Sequence, residues 1–373
     1  MRTRLPRRIL VFCLPGIGDA ILSTPALALL RRAFPDAHIT ALTMFRGAAD
    51  VLETNPNLDE VRWFDFFNAG IRESIRYLWR LRRERFDLSM LGFPANRIEY
   101  NLVNAFVGRR WRAGHGYQHQ RGRNLGFLNN IRVRESGDSH NVEENLALAR
   151  AICRHLGVPI PVVDTRLTLR LTADDVRQAD RLLAERGIAG DELLIGFHTY
   201  SSTFKNMHRK CWDQANFARL IRRIVEMHPR ARPLLFSGPS DTAVTEYIVR
   251  ETEGRALVIA ESNLRWALGV LQRCCVFVSN DSAIMHLAGT LGVPVVALFG
   301  PTSSRRLYPW AAPHTIVQRE LPCMPCFYYS SRPLRCAAHT DFACMREITV
   351  DEVLDVIGSH LAPSDRERLV AAR

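Results

Sequence analysis

Three carboxylates, a histidine and two lysines stand in this chain at positions suited to handling a phosphorylated substrate. Asp281 and Ser282 follow a short run of branched apolar residues at 276–279 and precede Ile284, Leu287, Ala288 and Leu291, spaced as on a helix and stopped by Gly292. The pattern predicts a strand, a cap, a helix and then a second buried strand over 295–299. In open α/β sheets ligands bind at the carboxyl ends of strands, and a helix amino terminus there offers free N–H groups to phosphate. His286, four residues after Ser282, shares its helix face. The same Asp and Ser also suit a plain helix cap, and spacing alone leaves both readings open.

Other loops add donors and charges. A predicted strand over 193–198 runs into His198-Thr-Tyr-Ser-Ser202, then Lys205, Arg209 and Lys210 ahead of Trp212. Ser202 with Lys205 or Lys210 suits a diphosphate, with lysine as a mobile point charge. The strand over 233–236 ends in Ser237-Gly-Pro-Ser-Asp241, where Asp241 suits ribose hydroxyls. Near the amino end, a strand over 9–14 opens into Pro15-Gly16-Ile17-Gly18-Asp19. Gly16 and Gly18 let a substrate approach the backbone, and Asp19 suits a general base. The third glycine of the dinucleotide fingerprint is missing, as is the acidic residue closing the next strand, which argues against NAD. A loop-rich basic stretch with Arg112, Arg121 and Arg123 suits phosphates or a lipid surface. His115 and His119 lack the glutamate of a zinc-protease pattern.

These residues need elements to hold them. Strand and helix patterns alternate along the chain, which is the mark of doubly wound α/β domains. With 373 residues the chain suits two such domains, with a boundary between about 160 and 190. An arginine-rich amphipathic helix is predicted over 71–85, with Ile71, Ile75, Leu78 and Trp79 on one side. The net charge of +12 points to a polyanionic partner: nucleic acid, an anionic membrane surface or a phosphorylated substrate. No apolar run reaches the ~20 residues of a membrane helix. The basic-then-apolar start breaks at Pro15-Gly16 and reads as a strand rather than a leader, so a cytoplasmic protein touching the membrane face is expected. Of nine cysteines, Cys323, Cys326, Cys336 and Cys344 cluster late, and the Cys-x2-Cys spacing suits a structural zinc.

Two stretches, GIGDAILSTPALALLRRAFPDAHITAL from Gly16 and NDSAIMHLAGTLGVPVVALFGPT from Asn280, taken in this order, carry a resemblance. The chain resembles the heptosyltransferase family of GT-B glycosyltransferases, glycosyltransferase family 9, over nearly its whole length. The resemblance implies two Rossmann-like doubly wound domains facing across a cleft. Residues 1–170 would bind the acceptor; residues 171–373, carrying the Cys-rich segment 323–344, would bind the nucleotide sugar. It implies inverting transfer of a heptose or related sugar, usually from ADP-heptose, to an anionic lipopolysaccharide-core-type acceptor. The resemblance also implies that no cofactor is required. Asp19 matches the family's base, Lys210 its diphosphate lysine, and Asp281, Ser282 and His286 its Asp-Ser/Thr-Gly-x-x-His. Ala283 replaces the usual glycine, and the longer segment before Lys210 leaves Lys205 as the alternative lysine. A sugar-nucleotide epimerase of the same architecture and a basic nucleic-acid-binding protein stand as the alternatives, though no nucleic-acid motif is present.

Overall fold

The computed structural model describes residues 5–118, 123–188, 190, 192–328 and 333–361. The chain divides into two compact units, Met1–Arg170 and Leu171–Arg373. Each holds one six-stranded sheet with helices between its strands.

In the first unit the strands are β1 (Arg8–Cys13), β2 (His38–Thr43), β3 (Glu60–Trp63), β4 (Leu88–Leu91), β5 (Trp111–Gly116) and β6 (Ile131–Arg134). They lie in the order β3-β2-β1-β4-β5-β6, all parallel. The second unit has β7 (Leu193–His198), β8 (Ala231–Phe236), β9 (Leu257–Ile259), β10 (Val276–Asn280), β11 (Val295–Phe299) and β12 (His314–Gln318). Its order is β12-β11-β10-β7-β8-β9, also parallel. Read from β9, this repeats the first sheet's order, the Rossmann order. The strand order reverses between β1 and β4 and between β7 and β10, so each unit has one topological switch point, where such sheets bind ligands.

Sequence explains why these strands are central. Ile9–Phe12 and Val276–Val278 are fully buried, as continuous apolar runs covered by helices on both faces should be. Gly196 in β7 is required because a Cβ there would lie 2.5 Å from the Phe277 ring of β10. The stretch Trp111–Gly116, expected as loop, is strand β5. Its glycines and histidine hide the pattern, yet Ala113, Gly114 and His115 are buried, and a Cβ on Gly114 would meet the Asn129 amide at 2.6 Å. The glycine-rich turn after β1 is likewise tighter than expected: Gly18 and Asp19 belong to a six-residue helix, Ile17–Leu22, and a second helix restarts at Thr24 with Pro25 in its first turn. Among the described residues no helix is long and apolar enough to cross a membrane.

Candidate active site

At the switch point of the second sheet, β10 ends in Asn280 and hands over to Asp281, beside the end of β7 at His198. Lys210 Nζ donates to Asp281 Oδ2 at 2.7 Å, and both side chains are more than nine-tenths buried. Burial alone would raise the Asp281 pKa, but the charge and hydrogen bond of Lys210 hold it below the ordinary carboxylate value. Asn280 fixes the partner segment: its Oδ1 accepts from the Trp212 backbone N–H at 2.8 Å. Trp212 is itself buried, and its indole donates to the Ile348 carbonyl. A buried lysine two residues before a locked tryptophan is thus a fixed charge rather than a mobile one.

Ser282 caps the helix Ala283–Thr290, accepting from the Met285 N–H, and lies 3.0 Å from the Ser279 hydroxyl. The plain-cap reading of Ser282 is thus what the geometry shows. His286 is buried one turn further on. Burial, resisted by Asp281 and reinforced by Lys210, lowers its pKa to about 4, so it is neutral. His198 is lowered to about 4 by burial as well, with Asp241 opposing and Lys210 assisting. His286 Nδ1, His198 Nδ1 and Asn280 Nδ2 are buried and have no hydrogen-bond partner among the described residues. Three orphaned polar atoms around one buried ion pair mark a place built to receive polar groups.

The remaining donor candidates fall on either side of this cluster. Asp241 is buried, and its Oδ1 accepts from Ser237 Oγ at 2.9 Å and from the Gly238 N–H at 2.6 Å, so it shapes the loop after β8. Ser202 is exposed and accepts from the Phe204 N–H. Lys205 sits in the left-handed region (φ 53°), as does Asn206, with its Nζ 5.3 Å from the Phe204 ring. Lys210, not Lys205, is the lysine joined to Asp281.

In the first unit Asp19 follows β1 at the switch point. Its carboxylate turns back so that a Cβ on Gly16 would touch Oδ2 at 3.4 Å, while Gly18 lies in the same short helix. Two residues missed by sequence reasoning join it. Tyr100, at the start of the helix Ile98–Val107 after β4, has its pKa raised by burial first, with Arg97 opposing and Asp19 adding. Arg97 lies over the Tyr100 ring at 5.8 Å. Their only sequence hint is position, since the loop after the strand beside β1 must face the same ligand.

Arg123 is exposed, and the carbonyl of its neighbour Asn124 accepts from Asn101 of that helix at 2.9 Å, so the backbone beside Arg123 is tied to the helix that carries Tyr100. Arg112 does not. It pairs with Ser89 early in β5, level with Leu10, and its Nε donates to the Leu128 carbonyl. Parallel register thus places it roughly 13 Å along the strand from the carboxyl end. Arg121 and His119 lie outside the described residues. His115 is a buried core residue with its Nε2 3.1 Å from the Glu144 carbonyl oxygen and its pKa lowered by burial to about 4.

Cys323, Cys326, Cys336 and Cys344 are free thiols, and among the described residues no three side chains of metal-ligating type are grouped closely enough to hold an ion. Cys336 is instead held by the Thr340 hydroxyl and the Phe342 N–H, which lower its pKa to about 7.

The sequence pattern of glycosyltransferase family 9 (heptosyltransferase) matches residues 75–336. Lipopolysaccharide heptosyltransferase 3 of Escherichia coli K12 is 26% identical over 301 residues, covering 79% of this chain and 82% of that one. Two solved structures share the fold: a family 9 glycosyl transferase from Veillonella parvula (TM-score 0.73, 22% identity, 96% of this chain and 98% of that one) and the E. coli ADP-heptose lps heptosyltransferase II (0.71, 21%, 96% and 99%). Two Rossmann sheets, each with a charged site at its switch point, are the fold of the GT-B enzymes. The chain belongs to glycosyltransferase family 9, the heptosyltransferases. The epimerase and nucleic-acid-binding alternatives are not favoured.

Proposed function

We propose that the protein moves a heptose from ADP-heptose to a hydroxyl of a lipopolysaccharide-core-type acceptor, with inversion at the anomeric carbon. The observation that carries this reading is the buried Lys210–Asp281 pair ringed by unpartnered polar atoms. As the bond from the anomeric carbon to the donor phosphate breaks, ADP departs with the electron pair and gains charge. An ammonium has three donors, so Lys210 keeps two for that diphosphate after bonding Asp281. Asp281 positions the lysine, Ser282 and neutral His286 offer hydrogen bonds, and Asp241 shapes the neighbouring loop. Asp19 accepts the proton of the acceptor hydroxyl as its oxygen bonds to the anomeric carbon. Arg97, Tyr100 and Arg123 are the acceptor-side contacts.

ADP is taken from the name of the E. coli structure, and a lipopolysaccharide acceptor from that of the curated relative. Lys210 supplies the charge a metal would otherwise bring, so transfer proceeds in EDTA. The enzyme works in the cytoplasm at the inner membrane face, a placement supported by the net charge of +12. The test is incubation with ADP-heptose, with and without a core oligosaccharide, followed by mass and linkage analysis. The acceptor should gain heptose and the donor alone should stay unchanged. A donor altered without acceptor would overturn transfer, and an acceptor that stays unmodified would overturn the donor assignment.

A further inference from the structure

The helix Gly70–Arg83 carries more apolar side chain than its own core uses. Tyr77, Leu78 and Leu81 face inward: Leu81 is buried and Tyr77 stacks on Phe64 at 4.1 Å between ring centres. Ile71, Ile75 and Trp79 form a separate stripe at i, i+4 and i+8, and they are 77%, 50% and 51% exposed. Next to that stripe runs a second one of Arg72, Arg76, Arg80 and Arg83. Among the described residues none of these four arginines has an acidic partner. The one acidic residue in the first turn is Glu73.

On a helix the inward face, the exposed apolar stripe and the arginine stripe follow one another around the axis, roughly a quarter-turn or more apart. The surface continues sideways. Trp79 meets Phe106 edge-on at 5.2 Å, and Leu102 on the adjoining helix is 48% exposed. It also continues past the amino end of the helix, where the exposed Phe45 and Phe67 rings pack 5.8 Å apart. That end follows β3, so it lies at the carboxyl edge of the first sheet, the edge that bears Asp19.

We infer that this helix lies flat on an anionic lipid surface, with Ile71, Ile75 and Trp79 sunk at the boundary of headgroups and acyl chains and the arginines on lipid phosphates. High amphipathicity, low overall hydrophobicity and a polar face rich in arginine are the marks of an interfacial helix. The charge decides among occupants. A second copy of the chain meeting this face would set four guanidiniums against four, which repel. Nucleic acid would satisfy the arginines but leave Ile71 and Ile75 in water. Anionic lipid satisfies both stripes. Docked this way, the first unit's ligand edge opens at the membrane surface beside the amino end of the helix, where a glycolipid's sugar head would enter. That last link rests on the function proposed above; the docking does not.

The test uses the full chain and vesicles that contain no acceptor, so docking and transfer can fail separately. Phosphatidylcholine vesicles with and without phosphatidylglycerol are floated with the protein. Binding is expected only with phosphatidylglycerol and should weaken with salt. Arg72→Gln/Arg76→Gln/Arg80→Gln should lower the partition coefficient by about fivefold per arginine, about a hundredfold together. Ile71→Ser/Ile75→Ser/Trp79→Ser should lower it by roughly tenfold or more. Brominated acyl chains should quench the parent and quench Trp79→Phe less. Both triple variants change exposed positions, and an unchanged far-ultraviolet circular dichroism spectrum with unchanged protease resistance of the first unit checks that each is folded. The inference is overturned by a parent that ignores phosphatidylglycerol vesicles, by folded variants that bind as the parent does, or by a parent dimer that the serine variant dissociates.

Discussion

Lys210→Met removes one half of a buried ion pair and leaves the other half intact. The pair is 2.7 Å long with side-chain exposures of 8% and 6%, so water cannot re-solvate the stranded Asp281 carboxylate without disrupting the segment that Asn280 holds. Breaking a buried pair from one side costs about 3–5 kcal/mol, whereas replacing both sides is often near neutral. Lys210→Met and Asp281→Asn should therefore each destabilise the second unit by about 3 kcal/mol or more, and the double variant by much less than their sum. The sign of the pH dependence follows from Asp281. In the parent its folded pKa is depressed, so the stability it brings is present above the unfolded value of 3.8 and lost as pH falls through the lower folded value. In Lys210→Met burial, the largest cause, is opposed only by the Thr302 hydrogen bond and the His286 ring, so the pKa rises, and the cost of the substitution should shrink as pH is lowered from neutrality. Two units make a single unfolding transition a poor readout. Pulsed thiol labelling of Cys211, which sits next to Lys210 and whose pKa burial pushes up to about 12, reports the second unit by itself when read by peptide mass in a urea series. Single variants costing under about 1 kcal/mol, with effects that add to within about 0.5 kcal/mol, would refute a buried, coupled pair.

Three further outcomes are expected. Asp19→Asn should lower kcat by roughly 10²–10⁴-fold while ADP affinity and the unfolding midpoint stay unchanged; a drop in ADP affinity of the same size would remove it from the role of base. Arg123→Ala should raise the acceptor KM, whereas Arg112→Ala should lower stability with the acceptor KM unchanged, because its guanidinium holds the Leu128 carbonyl; steady-state kinetics with varied acceptor separates the two. His115, at about 4 in the fold against 6.5 unfolded, makes the unfolded chain bind one more proton between those values, so stability falls with pH through that window. His115→Gln should flatten the slope there by about 1.4 kcal/mol per pH unit, and urea unfolding from pH 7 to pH 4 would show an unchanged slope if the reasoning fails.

The sequence shows some of this architecture plainly and hides the rest for physical reasons. The stretch Val276–Thr302 reads directly because both its strands are buried on two faces and its cap and stop residues are of the usual types. Asp281, Ser282 and His286 were visible there as a group. Their union with Lys210, 71 residues away, needed the fold. Strand β5 was hidden because tight packing demanded Gly114 where a branched residue would have announced a strand. That reading made Arg112 look like a loop residue, whereas it pairs with Ser89 inside the sheet. Arg97 and Tyr100 were missed because nothing in their local types marks them. Only the order β1-β4 brings their loop to Asp19.

Whether Lys210 and Asp281 hold the donor is tested most directly by calorimetric titration of ADP, UDP and GDP. The parent should bind ADP and bind UDP and GDP more weakly, Lys205→Ala should keep that affinity, and Lys210→Met should lose it. Binding of ADP to Lys210→Met as tightly as to the parent would contradict the assignment of the site, and a parent that prefers UDP or GDP would contradict the donor.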